Sequence, residues 1–231
     1  MKKTITSRSG SEKTMGTQLK TEQKKSSVKG GMSREHQVQE RRQSLLDAAV
    51  TVIAKRGLTG ITINTIASEA KCSYGVVAFH FKSKDGIIFA ALDYIADEYE
   101  TFLKRSSQLD LSPAERIRKM IESDFDGKVT NAKKIAVWVA FWAEAARVAK
   151  FRRRCAQLKE HYNEMTQEDV AALAADRGIN IDTRQVARSL NAMVDGFWIA
   201  NLVLSDAGPE GREAAKEACL AYMRTLFPKD F

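Results

Sequence analysis

TINTIASEAKCSYGVVAFHFKSKDGII, residues 62–88, holds two short helical runs parted by three residues. Thr62 offers a side-chain oxygen to the free amides of a helix over 63–70, in which Ile66 and Ala70 share an inward face. Lys71, Cys72 and Ser73 make the break, and Ser73 caps a second run over 74–81. With Ile66, Ala67, Ala70, Val76 and Val77 turned inward, the pair has the spacing of a helix-turn-helix that reads DNA. Two helices of about eight residues are unstable alone, so the unit needs a scaffold.

Working outward, helices on both sides can supply one. Leu45, Ala48, Ala49, Val52 and Ile53 recur every three or four residues and predict a helix over 39–56, which Gly57 ends in a left-handed cap. Ser83 starts another over 84–103, carried by Ile87, Ile88, Ala91, Tyr94 and Ile95. Ser112 followed by Pro113 opens a fifth helix. Further runs lie at 131–148, 152–177, 183–205 and 210–227, broken at 178–180 and 207–209. No strand-like alternation occurs, so the expectation is an all-α fold of about nine helices. Its division is a basic arm over 1–38, a helix-turn-helix domain over 39–84 and a helical domain over 85–231.

Composition agrees. Of the 231 residues 44% are hydrophobic, enough for a sizeable core, and only three are proline. Residues 1–42 carry eleven Lys and Arg against four Glu, so this segment holds +7 of the net charge of +8. Residues 1–38 have too few apolar groups to offset the entropy of ordering, and read as a disordered arm. No apolar run reaches the roughly 18 residues of a membrane span, and no secretory signal is visible, so the cytoplasm is expected. Cys72, Cys155 and Cys219 lack the spacing of a disulfide framework or zinc site and read as packing residues. No Walker loop, GxSxG, HExxH or GxGxxG is present, which speaks against an enzyme, and no cofactor or metal is implied.

A recognition helix shows its N-terminal residues to base edges, here Ser73, Tyr74 and Gly75. Gly75 permits close backbone approach at about 1 kcal/mol of helix propensity. The run Thr62-Ile63-Asn64-Thr65-Ile66-Ala67-Ser68-Glu69-Ala70, then Ser73-Tyr74-Gly75-Val76-Val77, Phe79-His80-Phe81 and Ser83-Lys84-Asp85-Gly86-Ile87-Ile88, resembles the TetR repressors. That resemblance implies that Thr62, Ser73, Phe79, His80 and Lys84 touch the phosphate backbone, and that Tyr74 and Val76 or Val77 approach the bases. Hydroxyls, an imidazole and a lysine near helix N-termini suit phosphate. The family usually has glycine in the turn where this chain has Lys71. A left-handed lysine there costs about 1 kcal/mol and adds positive charge close to DNA. Phe79 and Phe81 cannot both face outward, so at least one is core.

In the second half, Asp124-Phe125-Asp126, Trp138-Val139-Ala140-Phe141-Trp142-Ala143 and Asp195-Gly196-Phe197-Trp198 resemble the BetI branch, the choline-responsive regulators of glycine betaine synthesis. Trp138 and Trp142 are four apart on one helical face, and Asp195 and Trp198 three apart on another. Indole rings and a carboxylate, with Asp124 or Asp126 as a second, can cage a quaternary ammonium ion that donates no ordinary hydrogen bond. The bland alternative is that these rings are core and the aspartates caps. A bulkier apolar or amphiphilic ligand is the other occupant to weigh.

The resemblance further implies a ligand-responsive repressor on a near-palindromic operator, dimerised through its last two helices. Ala215, Ala218, Cys219 and Tyr222 form a small-residue face that suits such an interface or packing within the subunit. Lys150 and Arg152-Arg153-Arg154 read as a solvated basic corner. An architectural DNA-binding protein is the rival reading, against which stands a large helical domain that phosphate binding alone does not require.

Overall fold

The computed structural model describes residues 33–107, 110–204 and 208–231, with the backbone alone at 102–107. Among the described residues there are nine helices and no strand. The first, α1 (Arg34–Arg56), begins five residues before the expected 39. The Ser33 side chain accepts a bond from the His36 amide at 3.2 Å, Glu35 sits in the first turn, and His36 lies 3.6 Å from Glu40. Residues 33–41 are exposed, so capping and local charge begin this helix, not burial. Ordered structure thus replaces the last six residues of the arm, and positions 1–32 lie outside the described residues. Gly57 has the positive φ of 65° expected at the end of α1, but with ψ −178° it is extended and not left-handed helical.

Thr62 and Thr65 cap α2 (Ile63–Glu69) reciprocally, each hydroxyl accepting the other's amide, at 3.0 and 2.8 Å. The turn after it closes as a Schellman motif, with Cys72 N–H on Ala67 O at 2.9 Å and Lys71 N–H on Ser68 O at 3.2 Å. Lys71 has φ 51°, the left-handed conformation anticipated for it. Then follow α3 (Tyr74–His80) and α4 (Lys84–Ser107), the latter capped by the Ser83 hydroxyl on the Gly86 amide at 3.0 Å. Ser73 precedes α3 in extended backbone, but its hydroxyl makes no capping bond.

Past this headpiece come α5 (Pro113–Asp124), α6 (Ala132–Ala145), α7 (Ala149–Arg177), α8 (Thr183–Val203) and α9 (Pro209–Leu226). The Ser112 and Glu115 capping box starts α5 behind Pro113, and Gly178 ends α7 in the left-handed region. Helix α7 packs against α5, α6 and α8, and α9 closes over α5 and α8. Helix α1 packs on α6 as well as on α2 and α4, so one continuous set of buried side chains runs from Leu45, Ile53, Ile66 and Val77 to Ile121, Phe141, Leu173 and Leu190. Helix α4 leaves the headpiece and runs along α5 and α6, which brings Tyr99 to Asp124 of α5. None of the described helices is long and apolar enough to cross a membrane.

Candidate nucleic-acid interface and ligand cavity

Helix α3 divides its residues sharply. Val77 is fully buried and Phe81, just past the helix, nearly so, which plants this edge in the headpiece core. Tyr74 at 56% and Phe79 at 76% exposure face outward, with Ser73 and Gly75 exposed beside them and Val76 and His80 half-buried. Val77 therefore does not approach bases: it lies one turn before Phe81 on the inward stripe, and any valine contact falls to Val76. Phe81 is the core member of the phenylalanine pair, under the Arg42 guanidinium at 4.6 Å from its ring centre.

Thr62, Lys71 and Lys84 are exposed on the same headpiece. The Thr62 hydroxyl is occupied by the capping box, whereas the Ser73 hydroxyl is left open to an external partner. Burial, then the charges of Arg42 and Arg41, lower the His80 pKa from its ordinary value. Those two arginines belong to α1 and add charge beside α3, a placement that spacing along the chain did not reveal.

Within the body, Asp124, Trp138, Trp142, Asp195 and Trp198 line one cavity of about 40 Å³. Five of the eight residues read from sequence as ligand-binding thus come together, from α5, α6 and α8. Phe125, Asp126 and Phe141 do not. The chain leaves α5 at Asp124, so Phe125 turns to pack edge-on to Phe197, while exposed Asp126 accepts the Lys128 amide at 2.8 Å in the following turn. Phe141 is fully buried against Phe151, with ring centres 5.9 Å apart.

Trp138 and Trp142 stack at 28° with centres 6.2 Å apart, as one turn of α6 requires. The Trp198 indole donates to the Asp124 carbonyl at 2.8 Å, to which the Thr130 hydroxyl also donates at 2.5 Å. The Asp124 carboxylate accepts the Tyr99 hydroxyl from α4. Burial pushes the Asp124 carboxyl up to about 7, the nearby Asp195 charge adding to the rise while Tyr99 and Lys159 oppose it. Asp195, raised by burial as well, is ion-paired with Lys159 of α7, whose ammonium sits 4.5 Å from the Trp142 ring centre. Both carboxylates of the expected cage therefore have protein partners. Such an arrangement, two indoles and two carboxylates of low hydration, can hold a compact cation by ring faces and charge.

Tyr99, Lys159, Tyr162 and Asn191 are among the other residues of the wall, and the sequence reading did not find them. Cys155, Lys159 and Tyr162 do share one face of α7 at the i, i+4, i+7 spacing, the signal that was available. Tyr99 and Asn191 are joined to the site by the fold alone.

The basic cluster is solvated, with Arg152 and Arg153 exposed, but three of its four residues are also tied to neighbouring helices. Lys150 pairs with Asp85, Arg154 with Asp93 at 2.8 Å, and His161 contacts Glu100 at 2.6 Å, three links that tie α7 along α4. Arg152 donates to the Ala145 and Ala146 carbonyls at the end of α6, at 3.0 and 2.9 Å, and Arg153 alone of the four is exposed with no such tie described. The last helix turns its small-residue face inward: Ala215 and Cys219 are buried and Ala218 and Tyr222 half-buried. Exposed apolar side chains stand at the end of α8, Ile199 and Val203 within it and Leu204 just past it, the last two at 73% exposure.

Comparison with known proteins places these features in context. Residues 113–228 match the family described as BetI-type transcriptional repressor, C-terminal, and residues 45–91 match bacterial regulatory proteins of the tetR family. The chain is 29% identical over 163 residues to the HTH-type transcriptional regulator BetI of Paraburkholderia xenovorans, covering 69% of this chain and 80% of that one. For the BetI of Burkholderia ambifaria the identity is 27% over 192 residues, covering 82% and 95%. Among solved structures, a TetR-family regulator from Rhodococcus superposes with a TM-score of 0.70 at 23% identity, covering 81% of this chain and 98% of that chain. A transcriptional regulator from Saccharomonospora viridis in complex with choline superposes with a TM-score of 0.69 at 22% identity, covering 80% and 96%.

Proposed function

The chain belongs to the BetI-type transcriptional repressors of the TetR family, and we propose that it represses by binding a near-palindromic operator as a homodimer and is released by a small quaternary ammonium effector. The observation that carries the effector is the cavity of Trp138, Trp142, Asp124 and Asp195, in which ring faces and carboxylates converge without a metal-type donor set. The choline held by the Saccharomonospora viridis regulator, which shares the fold, supports the same ligand class.

On DNA, Ser73, Thr62, Lys71, Phe79, His80 and Lys84 position the headpiece against phosphates, and Tyr74, Gly75 and Val76 meet the base edges. We assign the reading head to residues 39–84, with α1 extended back to Arg34, and effector binding and dimerisation to 85–231. Helix α4 belongs to both, because Asp85 sits at its headpiece end and Tyr99 contacts the cavity carboxylate. An effector that binds the two arrangements of α4 unequally shifts the population that fits the operator, by no more than that difference in affinity.

Titration of labelled operator with the full chain, with and without millimolar choline, tests both halves of the reading. Sequence-selective binding that choline weakens is the expected result. Equal affinity for operator and unrelated DNA would point to an architectural role, and operator binding indifferent to choline but relieved by a bulkier amphiphile would move the effector class.

A further inference from the structure

Lys159 supplies a positive charge at the place where the cage would hold its ligand. Its ammonium lies 4.5 Å from the centre of the Trp142 ring and is paired with Asp195, two of the groups that a bound cation needs. Lys159 and Asp195 stand in the wall of the same cavity as Trp138, Trp142 and Asp124. The Lys159 and Asp195 side chains are 36% and 26% exposed, so the pair stands at the rim of the site. We infer that Lys159 is a resident cation that occupies the cage when no effector is bound, and that an effector enters by exchanging with it at Trp142 and Asp195. The inference rests on the cation-cage reading above.

Lysine suits this role because its four-carbon stem lets the head swing to water while the helix stays in place. Being tethered, it competes at an effective concentration of order millimolar, so it weakens every cationic ligand by one common factor. An ammonium with N–H groups is as strongly hydrated as lysine and gains nothing in the exchange. A methylated ammonium is less hydrated and covers more of the indole face, so it clears the threshold. The Tyr162 hydroxyl, buried in the same wall without a partner among the described residues, is available to an oxygen of the incoming ligand. Lys159 thereby sets a threshold that the tighter-binding methylated cations clear, while the Tyr162 hydroxyl favours one that bears an oxygen.

Calorimetry of the full chain with tetramethylammonium and with methylammonium tests this in wild type, Lys159→Met and Arg153→Met, circular dichroism confirming that each is folded. Lys159→Met should bind both ions about tenfold tighter, by the same factor, which brings methylammonium into range. Arg153→Met, which removes an equal charge from the exposed face of the same helix, should change neither. Tetramethylammonium binding no tighter to Lys159→Met than to wild type overturns the exchange while leaving the cage intact, and so does a gain confined to one ion or matched by Arg153→Met. If neither wild type nor Lys159→Met binds tetramethylammonium, the cage reading itself falls and takes the exchange with it. In wild type, the Lys159 ε-methylene protons should be shifted upfield by the indole and relax on saturation with tetramethylammonium; a shift that survives saturation also overturns the exchange.

Discussion

Asp124 is a carboxyl with 2% exposure whose pKa, about 7, lies above its ordinary 3.8. Between those values the folded chain holds a proton that the unfolded chain has released, so stability falls as pH rises from about 4 to 7 and is level above. Asp124→Asn should remove that slope and exceed wild type at pH 8 by on the order of 2 kcal/mol, as urea unfolding at pH 5 and 8 would show. A cation in the cage favours the ionised carboxylate, so choline affinity should rise through pH 7 in wild type and stay flat in the variant. On the headpiece, a Cβ added at Gly75 would meet only the Ser73 hydroxyl at 3.9 Å. Gly75→Ala should therefore stabilise the fold by about 0.5–1 kcal/mol and, on the proposed DNA contact, weaken operator binding, since the added methyl would stand where the base edges are read. Exposed Tyr74→Ala should leave stability within about 0.5 kcal/mol and lower the ratio of operator to unrelated-DNA affinity in anisotropy titrations.

The turn between α2 and α3 and the long pair α4 and α7 connect the local chemistry to the rest of the fold. Lys71 occupies the left-handed position of a Schellman motif that favours glycine. Lys71→Gly should stabilise the chain by about 1 kcal/mol in thermal unfolding, with weaker DNA binding at low salt. Helices α4 and α7 are joined by Lys150 to Asp85, Arg154 to Asp93 and His161 to Glu100, beside the stacked rings of Phe89 and Phe151 and the edge-on pair of Tyr99 and Tyr162. Each polar link is partly exposed and contributes at most about 1 kcal/mol to stability. In the proposed response to an effector, cavity-lining Lys159 and Tyr162 would move with α7 and the headpiece with α4. The double variant Arg154→Gln, His161→Gln should keep choline affinity within about twofold yet cut the choline-induced loss of operator affinity about fivefold or more. Unchanged coupling in paired calorimetry and operator titrations would remove these links from the relay.

For the molecule as a whole, the buried inner face of α9 leaves α8 as the source of apolar surface for the proposed dimer. Ile199, Val203 and Leu204 are exposed at 41%, 73% and 73% at the C-terminal end of that helix. Val203→Glu should convert the dimer to monomer at micromolar concentration by light scattering, without loss of helical content, and lower operator affinity by at least tenfold, because a monomer reads one half-site. In the dimer the recognition helices should stand about 34 Å or a multiple of it apart.

Short-range chemistry determined what the sequence alone made legible. Caps at Thr62, Ser83 and Ser112, the left-handed demand on Lys71 and three-to-four spacing of apolar residues act within one or two helical turns, and they mark where the helices of the described residues and the helix-turn-helix lie, although the short pair needs α1 and α4 as a scaffold to be stable. Charge and capping also extended α1 back to Arg34, a local signal that apolar periodicity does not register. Spacing put Trp138 and Trp142 on one face and Asp195 with Trp198 on another, but which side of a helix becomes cavity is decided by neighbours distant in the chain. Tertiary packing decided that Val77 stays inward and does not reach bases, made Phe141 core, and brought Lys159 over Trp142 and Tyr99 to Asp124. The reason is that burial and ion pairing are set by which faces meet in space, and a helix presents every one of its faces to the sequence equally.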